Sequence, residues 1–281
     1  MSQATSSPDV TASRLQQALQ DIMRAYGDVA VAVSGGVDSM TLGAIAGRGM
    51  GHRSRMYHAV SPAVPAEATA RVRAVAARER WQLTIVDAGE FADPSYVANP
   101  VNRCFFCKVN LYGAIAEVSS AQIVSGANVD DLGEYRPGLD AARRHNVKHP
   151  FVEAGIGKGQ IRAIARNLGL HDVAELPASP CLSSRVETGI GIRADVLEGI
   201  HAVEKAVSAR IAARTVRCRV RASGLVVELD AQSLEALGDE LKQELRSEVT
   251  RLFERVAAPT MVSFAVYRNG SAFLRGSREL T

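Results

Sequence analysis

The stretch that decides the fold is "VAVAVSGGVDSM", residues 29–40. Residues 29–33 are a continuous apolar run of strand length. Such a run, unlike an alternating one, is the pattern of a strand buried on both faces of a parallel sheet. Ser34, Gly35 and Gly36 follow, and two adjacent glycines allow a tight turn whose backbone can approach another group without Cβ obstruction. Val37, Asp38 and Ser39 then lead into "MTLGAIAG", which reads as helix. The stretch therefore predicts strand, glycine turn and helix start.

The pattern repeats outward. Residues 13–26 carry Leu15, Ala18, Leu19, Ile22 and Tyr26 at helical spacing, with Gly27 to end the helix. "RMYHAV" reads as strand, residues 65–81 as helix with Pro65 in its first turn, "LTIVDAG" as strand, "CFFCKVNLYGAIAEV" as helix, and "AQIVSGAN" as a strand ending in a loop. Strands alternating with helices predict a doubly wound parallel sheet with helices on both faces. After about residue 190 the pattern changes. A long amphipathic helix over 194–213 precedes two alternating strands in "TVRCRVRASGLVVELD", a helix over about 239–256, and a final strand pair around "YRNGS". The expected organisation is a polar arm over residues 1–12, an α/β domain over 13–190, and a smaller α+β domain over 191–281.

Composition narrows the function classes. The 281 residues are 47% hydrophobic and 22% charged, ordinary for a soluble globular chain. No run approaches the roughly 18 apolar residues that span a bilayer. The opening "MSQATSSPDVTA" lacks an apolar signal core, so a cytoplasmic protein is expected. A net charge of +3 is too small to argue for nucleic acid.

The glycine turn carries chemistry. A helix start presents unpaired N–H groups and a positive dipole end, which together attract anions such as phosphates. Ser34 and Ser39 add hydroxyls, and Asp38 suits a magnesium ion bridging phosphates. Ser34, Gly35, Gly36, Val37, Asp38 and Ser39 are the nucleotide candidates; no Gly-Lys-Ser/Thr ending makes this a Walker loop. A second segment, "SGANVDDLGEYRPGLDAA", begins at the end of a later strand, where ligands of α/β sheets collect. Gly126, Asn128, Asp130 and Asp131 there read either as nucleotide, metal or substrate contacts or as an Asx-rich turn.

The cysteines divide. Cys104 and Cys107 in "NRCFFCK" have C-x-x-C spacing at a helix start, with Arg103 and Lys108 adding positive charge. That spacing alone is consistent with a redox pair, half a zinc site, part of an iron–sulfur site, or two packed residues. Cys181 lies in "PASPCLSSR", and with the pair it makes three thiols. Cys218 shares the apolar face of a strand with Val216 and Val220, and reads as structural. Arg217, Arg219 and Arg221 share the other face. They form either a solvated charge ladder or a seat for a carboxylate or phosphate, with Glu228 on the partner strand able to neutralise one of them.

Taken in order, "SGGVDS", "NRCFFCK", "SGANVDDLGEYRPGL", "PFVEAGIGKGQIRAIARNLGL" and "PASPCLSSR" are similar to the ATP-dependent sacrificial sulfur transferases of the LarE family, over about residues 13–230. The loop itself resembles the PP-loop of the N-type ATP pyrophosphatases. The resemblance implies an adenine nucleotide alpha hydrolase-like PP-loop fold and cleavage of ATP between the α and β phosphates. It implies adenylation of a carboxylate of pyridinium-3,5-biscarboxylic acid mononucleotide, in the making of the nickel-pincer nucleotide cofactor. Cys181 would attack the acyl adenylate, and loss of its sulfur would leave a thiocarboxylate and dehydroalanine. Ser183, Ser184, Arg185, Arg217, Arg219 and Glu228 are then the substrate-site candidates, and Asp38, Lys108 and Cys181 the catalytic ones. Members with three cysteines imply a [4Fe–4S] cluster on Cys104, Cys107 and Cys181 carrying a renewable sulfide. The cofactors implied are ATP, Mg2+ and that cluster. The partners implied are the small anionic nucleotide, further copies of the chain, and other cofactor-biosynthesis proteins. The sequence departs from the family pattern at "VETGIGI", residues 186–192, and near its end. Two other readings remain open at this stage: a tRNA-thiolating PP-loop enzyme, and a nucleotide-binding sensor that releases no pyrophosphate.

Overall fold

A computed structural model of the chain describes residues 8–133, 136–178, 180–254, 256 and 261–274. The chain divides into two compact units, residues 1–90 with 104–179, and residues 91–103 with 180–281. This partition differs from the expected break at residue 190, and it gives the short segment 91–103 to the second unit. Helix α1, Pro8–Ala25, begins inside the segment read as an arm; residues 1–7 lie outside the described residues.

The first unit is α/β. Strands β1 (Val29–Ala32), β2 (Ser54–Ala59), β3 (Leu83–Val86) and β4 (Gln122–Val124) form a parallel sheet in the order β3-β2-β1-β4. Its helices besides α1 are α2 (Val37–Met50) and α3 (Ala66–Glu79), then, after α4 (Pro94–Val97) of the other unit, α5 (Arg103–Val118). After these come α6 (Pro137–Arg144), α7 (Pro150–Glu153), α8 (Lys158–Asn167) and α9 (His171–Ala174). Side chains alternate across a strand, and both faces of β1 are covered. Val29, Val31 and Val33 pack with Leu19, Met40, Ile45, Ile161 and Ile164. Ala30 and Ala32 pack on the opposite face with Tyr57, Tyr112, Ile115 and Ala142. The unbroken apolar run at 29–33 is thus explained by a strand with no solvent side.

The second unit holds a mixed sheet, β5-β6-β7. β5 (Val216–Arg221) and β6 (Gly224–Leu229) form the expected antiparallel hairpin, and β7 (Val262–Val266) runs parallel to β6. Helices α10 (Ala194–Arg210), α11 (Ala231–Glu235) and α12 (Asp239–Phe253) complete it. Val203, Val207, Leu245, Val249, Cys218 and Val227 are buried. The final strand pair expected around "YRNGS" is not formed among the described residues. β7 alone precedes that turn, and the described residues after it carry no strand. Its hydrogen-bond partner is β6, so no return strand is needed to satisfy that side.

Candidate functional site

From β1 the chain moves outward to β2 and β3, then returns to the other side of β1 as β4. The carboxyl ends of β1 and β4 are therefore the topological switch point of the sheet, the place where ligands of such sheets bind. Residues 34–39 follow β1 and residues 125–131 follow β4. A Cβ on Gly126 would lie 2.8 Å from Ser39 N and 2.9 Å from Asp38 C, both backbone atoms. The two loops touch only because residue 126 has no side chain. Gly126→Ala is expected to push them apart and, on the reading of these loops as a nucleotide site, to weaken ATP binding by about tenfold or more, since misplacements of this size disable a pre-organised site. Calorimetric titration with ATP reads this, and an unchanged affinity would count against the contact's importance.

Within the first loop, Ser39 Oγ accepts from Ser34 N at 3.0 Å and donates to Gly36 O at 3.2 Å, with Ser34 Oγ also 3.0 Å away. Asp38 stands in the first turn of α2. Its Oδ2 accepts from Lys158 Nζ at 2.5 Å, while its buried Oδ1 has no hydrogen-bond partner among the described residues. Burial raises the Asp38 pKa, the Lys158 ammonium opposes that rise, and Asp131 adds to it. A buried carboxylate oxygen without a donor, beside serine hydroxyls and a helix N-terminus, is a donor set that suits Mg2+ carrying phosphates.

Lys158 is the residue that sequence reasoning missed. It lies in "PFVEAGIGKGQIRAIARNLGL", but no local rule brings it to Asp38 across that separation in the chain. Asp130 fixes it there: Asp130 Oδ2 accepts from Lys158 N at 2.7 Å, at the start of α8. The other acidic and amide groups of the second loop turn on each other. Asn128, buried, donates its N–H to Asp131 Oδ2 at 3.1 Å and accepts from Asp130 N at 3.1 Å. Asp131 Oδ1 pairs with Arg136 at 2.9 Å. Glu134 and Tyr135 of the same motif lie outside the described residues. Lys108 stands 5.8 Å from the centre of the Tyr112 ring and lowers the pKa of His149, which burial depresses most. His149 Nδ1 is 2.9 Å from Ser125 Oγ at the end of β4.

Cys181 and the substrate-site candidates sit in the second unit. Cys181 precedes a 3₁₀ turn, Leu182–Arg185, and is half-buried. Arg185 is almost wholly buried and turned inward. It forms a bidentate pair with Glu204 at 3.0 and 3.2 Å and donates to Pro180 O, Cys181 O and Ser184 Oγ at 2.6, 3.1 and 3.0 Å. Glu204 also accepts from Cys218 N at 3.1 Å, which ties the turn to β5. Arg185 thus holds the Cys181 turn together and ties it to α10. Ser183 is also buried, its Oγ 2.6 Å from Tyr96 OH in α4. Val186 bridges Val220 of β5, and Arg219 Nη1 donates to Ser184 O at 2.9 Å.

On the arginine face, Glu228 lies opposite Arg217 in register but reaches diagonally. Its Oε2 accepts from Arg219 at 2.9 Å, and its Oε1 from Arg221 and Ser271 at 2.8 and 2.7 Å. It therefore neutralises a pair of arginines, where the sequence suggested one. Arg217 donates from Nη1 to Val216 O at 2.8 Å. Its pKa is lowered by burial first, and by the charges of Arg185 and Arg219. Cys218 is fully buried, and burial pushes its thiol well up, as a packed strand residue requires.

Cys104 and Cys107 lie one turn apart at the start of α5, both half-buried, in a different unit from Cys181. Among the described residues, no group of three or more His, Cys, Asp or Glu side chains is gathered to hold a metal.

No protein-family model matches the chain. It is 32% identical over 228 residues to the uncharacterized protein slr1717 of Synechocystis sp., covering 79% of this chain and 84% of that one. It is 32% identical over 113 residues to the uncharacterized protein MJ0830 of Methanocaldococcus jannaschii, covering 39% and 44% of the two chains. It is 29% identical over 111 residues to the pyridinium-3,5-bisthiocarboxylic acid mononucleotide synthase of Lactiplantibacillus plantarum, covering 38% and 40%. The match thus spans less than half the length of each of the last two relatives. The extended match to the first is decisive: the chain belongs to the family of the Synechocystis protein slr1717.

Proposed function

We propose that the chain is a PP-loop, ATP-dependent sulfur transferase that converts a carboxylate of pyridinium-3,5-biscarboxylic acid mononucleotide to a thiocarboxylate, in the making of the nickel-pincer nucleotide cofactor. The observation that carries the reading is Asp38, a carboxylate with one buried oxygen lacking a donor, in a Ser-Gly-Gly-Val-Asp-Ser turn at the switch point of a parallel sheet. The partial similarity to a synthase of the corresponding bisthiocarboxylic acid supports the substrate class.

In this reading Asp38 holds Mg2+, and the α2 N-terminus, Ser34, Ser39 and Lys158 receive the phosphates. Attack by the substrate carboxylate on the α phosphate forms an acyl adenylate and expels pyrophosphate. Lys108 supplies positive charge to the anionic intermediates. Arg217 holds an anionic group of the substrate: burial first, then Arg185, lower its pKa with Glu204 opposing, and an incoming anion favours the charged guanidinium. Cys181 either attacks the acyl adenylate, expelling AMP, and then gives up its sulfur as the Cβ–S bond breaks with loss of the Cα proton, leaving dehydroalanine, or, with Cys104 and Cys107, would be a ligand of a [4Fe–4S] cluster. Such a cluster would supply a sulfide; thiolates are the ligands it takes, but among the described residues the three are not gathered into one group.

Arg217→Ala is expected to raise KM for the biscarboxylate nucleotide about 10–100-fold, the loss of a charge-assisted hydrogen bond, with the Kd for ATP essentially unchanged. Steady-state kinetics and ATP titration separate the two. Equal losses in both would sink the assignment of Arg217 to the substrate.

A further inference from the structure

The Ser34–Ser39 turn is held from outside by side chains that the reaction scheme above does not use. Val33 N still makes a strand bond, donating to Tyr57 O at 2.8 Å. The Val33 carbonyl instead meets His58 Nδ1 at 2.8 Å, and His58 Nε2 lies 2.9 Å from Thr69 Oγ1 in α3. A carbonyl can only accept, so Nδ1 carries the proton and Nε2 accepts from the threonine hydroxyl. His58 is buried, and burial pushes its pKa down, with the Val33 carbonyl opposing and Arg73 reinforcing. From α3, Arg71 Nη1 donates to Gly35 O at 2.9 Å. Gly35 has φ +85°, and a Cβ there would lie 3.0 Å from Ala68 O of the same helix. The carbonyls of residues 33 and 35 are therefore both drawn to partners on β2 and α3. In a trans peptide the N–H of the next residue points the opposite way. The N–H of Ser34 does so, reaching Ser39 Oγ, and the N–H of Gly36 must follow the same rule.

We propose that His58, Thr69 and Arg71 are positioning residues, which set the direction of the loop's N–H groups by holding the Val33 and Gly35 carbonyls. The proposal rests on the reading of this loop as the phosphate site. Its mark is selectivity: the phosphates should feel the change and the nucleoside should not.

The test is calorimetric titration of the full chain with pyrophosphate, ATP and adenosine. His58→Leu, which removes the donor to Val33, is expected to raise the Kd of pyrophosphate and ATP about tenfold, the scale of one buried hydrogen bond, and to leave adenosine unchanged. His58→Asn keeps a donor at that reach and is expected to recover affinity to within about threefold of wild type, a few tenths of a hydrogen bond's worth. Thr69→Val, which removes only a hydroxyl, is expected to move pyrophosphate in the same direction by about threefold, and it keeps the question open to test if His58→Leu does not fold. Unchanged pyrophosphate affinity in His58→Leu or Thr69→Val would overturn the inference while leaving the phosphate site standing. Equal weakening of adenosine would overturn it as general loosening of the unit. Failure of the wild-type chain to bind either ATP or pyrophosphate would remove both the inference and the reading beneath it.

Discussion

Asp38→Asn is expected to lower pyrophosphate formation from ATP by about 10²–10³-fold or more, because a metal-ligating carboxylate contributes several kcal/mol at developing phosphate charge. The fold should survive. The Asp38–Lys158 pair is partly exposed on both sides, with side chains 25% and 38% accessible, and such pairs contribute about 1 kcal/mol or less. The same residue gives a pH signature. Burial raises the Asp38 pKa, so on acidification it loses its charge before an ordinary aspartate would. Mg-dependent ATP binding in the wild-type chain should therefore weaken on the acid side, and the Asn variant should lack that step. A variant that releases pyrophosphate at the wild-type rate would overturn the proposed role of Asp38 as a metal ligand.

Glu228→Ala is expected to be the most destabilising single change in the second unit. Glu228 is 1% exposed and receives Arg219, Arg221 and Ser271. Removing it leaves two guanidinium groups facing each other in a partly dry interior. Breaking a buried pair from one side typically costs about 3–5 kcal/mol. For a unit of this size, that corresponds to a fall in Tm on the order of 10 °C or more. Differential scanning calorimetry reads it directly. A shift of a degree or two would mean that the arginines find other partners, and that the face is not organised around Glu228.

The α/β layout was legible because β1 lies between two apolar layers and so carries no polar alternation. The β5–β6 hairpin was legible for the opposite reason: Val216, Cys218 and Val220 alternate with arginines. Contacts distant in sequence were not legible. Lys158 meets Asp38 through the start of α8, and nothing near either residue signals the other. Asn99, fully buried at φ +54°, donates to the carbonyls of Glu187 and Ile190 at 2.8 Å, which ties segment 91–103 to the second unit. Arg185 was read as a ligand group from its place beside Ser183 and Ser184. Its burial against Glu204 is a tertiary fact that the motif does not carry. The parallel pairing of β7 with β6 likewise depends on α12 carrying the chain back to the far edge of the sheet.

The most direct test of the central claim is one anaerobic reaction of the purified chain with ATP, Mg2+ and pyridinium-3,5-biscarboxylic acid mononucleotide, followed by mass spectrometry of the small molecules and of the Cys181 peptide. The account predicts AMP, pyrophosphate, and a nucleotide in which a carboxylate oxygen is replaced by sulfur. A Cys181 peptide that has lost the elements of hydrogen sulfide would identify a consumed donor, and an unchanged one would assign the sulfur to a bound sulfide. ADP with phosphate, or AMP and pyrophosphate with no sulfur in the nucleotide, would contradict the account.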